Sequence, residues 1–181
     1  MKRKLIFCFF LIALFAAIFC ACAQKTTANP DLPRQCLRIH IRANSDAAPD
    51  QEVKLKVRDS LTEYLSEELY GCADKAEAYA RLENSIPQIC AVADRVLRQN
   101  GFEYGASVRL ANESFPARAY GELNFPAGNY DALIVGLGDA SGENWWCVAF
   151  PPLCFVPNGD GENVVYKSWV KEIIDKIFGS G

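Results

Sequence analysis

Asn144-Trp145-Trp146-Cys147-Val148-Ala149-Phe150-Pro151-Pro152-Leu153-Cys154-Phe155 gathers two of the chain's three tryptophans, two of its eight cysteines and a Pro-Pro pair. Read with period two, Trp146, Val148 and Phe150 face one way and Trp145, Cys147 and Ala149 the other. Both faces are apolar, which predicts a central strand covered on both sides rather than an edge. Pro151-Pro152 ends it, because proline brings no amide to a ladder. The two cysteines leave two readings open. Seven extended steps would hold them about 23 Å apart, whereas a disulfide needs Cα atoms within about 7 Å. A Cys147–Cys154 bridge therefore requires the chain to double back at the prolines, with a cis peptide as one route. The other reading is two buried thiols acting as small apolar groups.

Working outward, Ala132 to Leu137 is a short apolar strand, and Gly138-Asp139-Ala140-Ser141-Gly142 joins it to the Trp-Trp stretch as a hairpin. Upstream, Val108 and Leu110 alternate with polar residues, and Phe115-Pro116 and Phe125-Pro126-Ala127-Gly128 read as aromatic-proline turns. Downstream, the polar loop Asn158 to Asn163 leads to a helix with Tyr166, Trp169, Val170, Ile173 and Ile177 on one face, closed by Gly179.

In the N-terminal half, Leu37, Ile39, Ile41 and Ala43 alternate with Arg38, His40 and Arg42, which predicts a half-buried strand with a polar, solvated face. Asn44-Ser45-Asp46 follows as turn and helix start, with Pro49 tolerated in the first turn. Val53, Val57, Leu61, Tyr64 and Leu65 recur at helical spacing up to about Tyr70, and Gly71 ends the run. Asp74-Lys75-Ala76-Glu77 resembles a capping box. Behind it runs a second stripe, Tyr79, Leu82, Ile86, Ile89, Ala93 and Val96, in which Pro87 predicts a kink or a restart. The order β-α-α-β-β-β-β-α predicts an α+β fold, a mainly antiparallel sheet with helices packed on it.

Lys2, Arg3 and Lys4 precede an uncharged run from Leu5 to Ala23, and Ala21-Cys22-Ala23 fits a small-x-small cleavage site at Ala21 and Ala23. Residues 1–23 are thus expected to be a cleaved signal; an uncut membrane anchor and a lipoprotein modified at Cys22 are the alternatives. Each places the remainder outside the cytoplasm. Residues 24–35, polar with two prolines, read as a tether, and 36–181 as a single domain. Removing residues 1–23 takes away three cations and no acids, moving the net charge from −3 to −6. So acidic a domain, with no basic block, suits neither nucleic acid nor anionic lipid. Five cysteines remain in it, an odd number, so at least one thiol has no partner within the chain.

Catalytic chemistry finds little to work with. The lone histidine, His40, is the only base available to a Cys147 nucleophile, and flanking Arg38 and Arg42 disfavour its imidazolium. Cys147 and Cys154 lack the spacing and neighbouring histidine of a zinc site. Asp139, Glu143 and Asp160 match no calcium loop, and Gly136, Gly138 and Gly142 precede no helix start, so neither calcium nor phosphate is expected. No cofactor and no metal are expected. The most polar organised surface is the strand face of Arg38, His40 and Arg42 leading into Asn44, Ser45 and Asp46, with Asn144 and Trp145 as further candidate partner contacts. A tryptophan left exposed by the Trp145-Trp146 pair would alternatively suit glycan stacking.

Two stretches carry a resemblance. Arg38-Ile39-His40-Ile41-Arg42-Ala43-Asn44-Ser45-Asp46, followed by Asp50-Gln51 and Lys54-Leu55-Lys56-Val57-Arg58-Asp59, resembles the N-terminal signature of the stage II sporulation protein R family. Phe125-Pro126-Ala127-Gly128-Asn129-Tyr130-Asp131-Ala132-Leu133, Gly136, Gly142 and Asn144 through Phe155 resemble its C-terminal signature. Ala47 departs from the serine of the family pattern. The resemblance covers residues 37–178. It implies a signalling protein rather than an enzyme, made in the forespore and exported into the space between forespore and mother cell. There it would trigger a membrane-embedded aspartic peptidase that processes the precursor of sigma factor E. A secreted cysteine hydrolase using Cys147 and His40, or a cell-wall glycan-binding module, are the competing expectations.

Overall fold

A computed structural model describes residues 32–120, 123–153 and 172–177. The expected export segment with Ala21 and Ala23, most of the expected tether, Cys154, the 158–163 stretch and Trp169 lie outside the described residues. Within them the order is α1 (Leu32–Gln35), β1 (Leu37–Arg42), α2 (Ala48–Glu68), α3 (Lys75–Gln99), β2 (Ala106–Phe115), β3 (Arg118–Tyr120), β4 (Leu123–Phe125), β5 (Gly128–Leu137) and β6 (Asn144–Phe150). Residues 172–177 are helical. The expected α+β class holds. No helix among the described residues is long and apolar enough to cross a membrane.

The helices form where the stripes predicted them. α2 buries Val53, Val57, Leu61 and Leu65, each side chain contributing roughly 1.5–3 kcal/mol by leaving water. Gly71, at φ 77°, turns the chain after it. Asp74 caps α3 by accepting from the Glu77 amide at 2.9 Å, and the Glu77 carboxylate accepts from the Ala73 amide at 2.9 Å. Pro87 does not restart α3, which runs unbroken from Lys75 to Gln99. The carbonyl that Pro87 leaves without an amide belongs to exposed Glu83, where water can serve it.

The sheet departs from the expectation in three ways. Its strand order is β2-β5-β1-β6, and it is mixed: β1 runs parallel to β5 and antiparallel to β6, while β2 and β5 are antiparallel. First, β1, whose neighbours the alternation left unassigned, is central. Second, among the described residues β6 is an edge strand rather than the centre. Its two apolar faces are covered by separate layers, and coverage of faces says nothing about neighbours in the ladder. A register shift at Leu37/Arg38 also turns Phe150 to the side of Cys147 and Ala149. Third, residues 138–143 are no hairpin, because β1 lies between the strands they join.

One face of the sheet packs on α2 and α3 through Leu37, Ile39, Ile41, Leu133, Val135, Leu137, Cys147 and Ala149. The opposite face carries Phe115, Phe125, Tyr130, Ile134 and Val148, with Tyr120 and Leu123 of the β3–β4 pair packed against them.

Candidate functional site

The polar residues of β1 do not face solvent. Arg38 and His40 are both 0% exposed, so the expected solvated strand face is wrong for these two. The physical reason is aromatic cover. The Arg38 guanidinium carbon lies 4.6 Å from the Phe115 ring centre, 5.2 Å from Tyr130, 5.5 Å from Phe125 and 5.9 Å from Tyr120. Its Nε donates to the Cys147 carbonyl at 3.2 Å and its Nη2 to the Tyr120 hydroxyl at 3.1 Å, leaving Nη1 without a partner among the described residues. A weakly hydrated, planar cation stacked among four rings is the form in which a charge survives burial. The clue in the sequence was the run of Phe115, Tyr120, Phe125 and Tyr130, each five residues after the last; strand alternation could not say which polar residue they would enclose.

His40 sits 4.8 Å from Trp146 edge-on and 5.8 Å from Phe115. Among the described residues neither ring nitrogen has a hydrogen-bond partner, and Glu113 approaches only to 3.7 Å. Burial pushes its pKa down to about 4, with Arg42 and Arg109 acting in the same direction and Glu113 against them. The neutral imidazole expected from the flanking arginines is present, though desolvation is the larger cause.

His40 and Cys147 cannot act together. Cys147 lies across from Ile39 on the helix-covered face, whereas His40 lies across from Trp146 on the other. Cys147 is moreover disulfide-bonded; Cys154, its expected partner, lies outside the described residues. Cys36, Cys72 and Cys90 are free thiols. Burial raises Cys36 to about 12 and Cys72 to about 11, which leaves them protonated and unreactive. Among the described residues no cluster of His, Cys, Asp and Glu is placed to hold a metal. A cavity of about 350 Å³ is lined by Arg34, Lys75, Phe150, Ile173 and Lys176 among others. Lys75 is engaged with Asp131 at 2.7 Å and Lys176 with the Ala73 carbonyl at 3.3 Å.

The second polar group is a clasp at the C-terminal end of β1. Since β5 and β6 flank β1, the chain between them must pass over Asn44-Ser45-Asp46, and these residues hold it. The Asn44 side-chain oxygen accepts from the Asp139 amide at 2.9 Å, and the Asn44 carbonyl accepts from the Ser141 hydroxyl at 2.6 Å. Asp46 accepts from the Glu143 amide at 2.7 Å, and the Ala43 carbonyl from the Gly142 amide at 3.0 Å. Asp50, from the first turn of α2, ties the clasp to the core. It accepts from Asn44 at 2.9 Å, from the Ser45 hydroxyl at 2.6 Å and from the Tyr104 hydroxyl at 2.6 Å. These bonds, Ser45's first, hold its carboxyl below the ordinary range. Lys54 closes the set by donating to the Glu143 carbonyl at 3.0 Å.

The tripeptide is thus not the cap of α2: Ala47 occupies that position with no side-chain cap. Asp50, Lys54, Tyr104 and Ser141 were missed as its partners, although Asp50 and Lys54 belong to the signature quoted above. The amides of Asp139, Ser141, Gly142 and Glu143 in the glycine-rich loop are likewise taken up by Asn44, Ala43 and Asp46. Of the remaining candidate contacts, Asp46 is exposed, while Arg42, Asn44, Ser45, Asn144 and Trp145 are half-buried. Arg42 donates to the Asn144 side chain at 2.9 Å, and the Arg58 guanidinium lies 5.8 Å over the Trp145 ring.

A mixed sheet with helices on one face, a caged arginine on the other and a tied pair of loops at one end defines an α+β domain whose placed polar groups mostly serve its own fold. The chain belongs to the stage II sporulation protein R family. The sequence model of that family matches residues 33–160. The stage II sporulation protein R of Bacillus subtilis (strain 168) is 34% identical over 170 residues, covering 91% of this chain and 76% of that protein. No solved structure matches this chain.

Proposed function

We propose that the chain is an exported signalling protein of endospore formation. By binding, it activates the membrane-embedded aspartic peptidase that processes the precursor of sigma factor E. The observation that carries this reading is the separation of His40 from Cys147 in a member of a sporulation family. The lone histidine is sealed among aromatic rings on the sheet face opposite a disulfide-bonded cysteine. A cysteine hydrolase built on that pair has no geometry to work with. The expected export segment supports delivery to the extracytoplasmic side of the peptidase.

Activation by contact requires a difference in affinity between the peptidase's resting and active forms. The clasp suits such a contact: Asp46 and its half-buried neighbours are held in place before binding, so little ordering cost falls on association. The test is co-expression of the exporting chain with the peptidase and the sigma precursor in a non-sporulating host. Cleavage of the precursor that depends on the exported chain is expected. Absence of cleavage despite demonstrated export contradicts the proposal.

A further inference from the structure

Among the described residues β2 is an edge strand of ten residues, without the proline, lysine or bulge that commonly blunts an edge. It contains no proline and no lysine, and its register against β5 runs from Ala106–Leu137 to Phe115–Gly128 without a shift. The other edge, β6, carries a register shift on its ladder and ends in Pro151-Pro152. The Gly138 amide donates to the Gly105 carbonyl at 2.9 Å, which sets the phase of the ladder. Odd-numbered residues of β2 bond inward to β5, and the even-numbered ones point their N–H and C=O outward. Both outward groups of Ala106 are occupied, its amide by Asp94 at 2.7 Å and its carbonyl by the Cys90 thiol at 3.2 Å. Those of Val108, Leu110, Asn112 and Ser114 have no partner among the described residues.

We propose that this edge pairs with the same edge of a second copy of the chain, antiparallel, about a two-fold axis at Ala111. Three observations select that register. Antiparallel bonding needs outward groups opposite outward groups, and centring on Ala111 sets Val108 against the second copy's Ser114 and Leu110 against its Asn112. The same centring sets Arg109 against the second copy's Glu113, and Glu113 against its Arg109, giving two cross-strand ion pairs. A shift of the axis by one residue either way removes both. At the axis stands an alanine, small enough for the closely spaced pair there. In the single chain Arg109 and Glu113 already reach along the strand to each other across Ala111, with side chains 58% and 26% exposed. In the pair the four charges close around the two alanines. The two four-stranded sheets then join into one continuous sheet, and the half-buried Val108 and Leu110 gain cover. The inference does not depend on the activation reading.

The test is sedimentation velocity on the exported chain from nanomolar to tens of micromolar. A concentration-dependent shift from monomer to dimer is expected. Arg109→Glu and Glu113→Arg each set like charges opposite one another, and each weakens dimerisation by about tenfold or more. Mixed together, the two variants carry complementary edges and form a heterodimer as tightly as the unaltered chain, which also shows that both are folded. A chain that stays monomeric throughout overturns the proposal. So do a dimer indifferent to both substitutions and a mixture that fails to associate.

Discussion

The carboxamide of Asn44 fills the space that a side chain on Gly138 would need. Gly138 also sits at φ 56°, and a side chain on Gly142 would meet the backbone of Ser45. Gly138→Ala and Gly142→Ala are each expected to lower stability by about 2–4 kcal/mol, from strain and forced separation of the two loops. Gly71 has φ 77° but open space around it, so Gly71→Ala should cost only about 1 kcal/mol. Urea denaturation ranks the three. Equal losses at all of them would mean that the clasp is loose.

Arg38 divides into an apolar part and a charged part. Arg38→Ala leaves a hole among four aromatic rings and takes one donor from the Cys147 carbonyl, and is expected to cost about 2–4 kcal/mol. Arg38→Met refills the space without a buried charge, and should recover at least half of that loss. If Met proves as damaging as Ala, the guanidinium's bonds rather than its bulk hold the face together. Tyr120→Phe removes the hydroxyl that accepts from Arg38 and donates to the Trp146 carbonyl at 3.3 Å; about 1 kcal/mol is expected.

His40 makes stability depend on pH in a definite direction. Its imidazole takes up a proton near 6.5 when unfolded and only near about 4 when folded. Between those values the unfolded chain holds more protons, so acid favours unfolding. The contribution of His40 is whole above about pH 6.5 and drains away as pH falls towards 4. His40→Phe should flatten this slope in the urea midpoint. Asp50, held below the ordinary carboxylate range, gives up its contribution only at still lower pH. Parallel slopes for the variant and the unaltered chain across this window would mean that His40 is not sealed from water.

The same His40→Phe chain should still trigger precursor processing in the co-expression assay, because the imidazole touches neither Cys147 nor solvent. Loss of signalling by a His40→Phe chain that is exported and folded would restore a chemical role for the histidine.

Much of the chain was legible without its fold. The α2 and α3 stripes, the Asp74 cap, the turn at Gly71 and the apolar strands each follow from interactions within a few residues. So does the depressed basicity of His40, in direction if not in chief cause. The burial of Arg38 and His40 was not legible. Alternation shows that Arg38 and His40 share a face, but a polar face of β1 looks the same whether water or the rings of Phe115, Phe125 and Tyr130 lie over it.

By itself the sequence determined the two long helices and the main strands, because helix periodicity, strand alternation, caps and turns are set by near neighbours, and its two signature stretches pointed to the family. The sequence showed neither the short helix Leu32–Gln35, read as tether, nor the fifth strand after the helices. Tertiary structure alone decided that β1 lies between β5 and β6, and that Asn44 and Asp46 hold a loop 95–97 residues away rather than cap the helix beside them. It also decided that His40 and Cys147 look out from opposite faces. Strand neighbours and loop contacts depend on pairing across long stretches of chain, and the free energy that selects among such pairings is spread over the whole core.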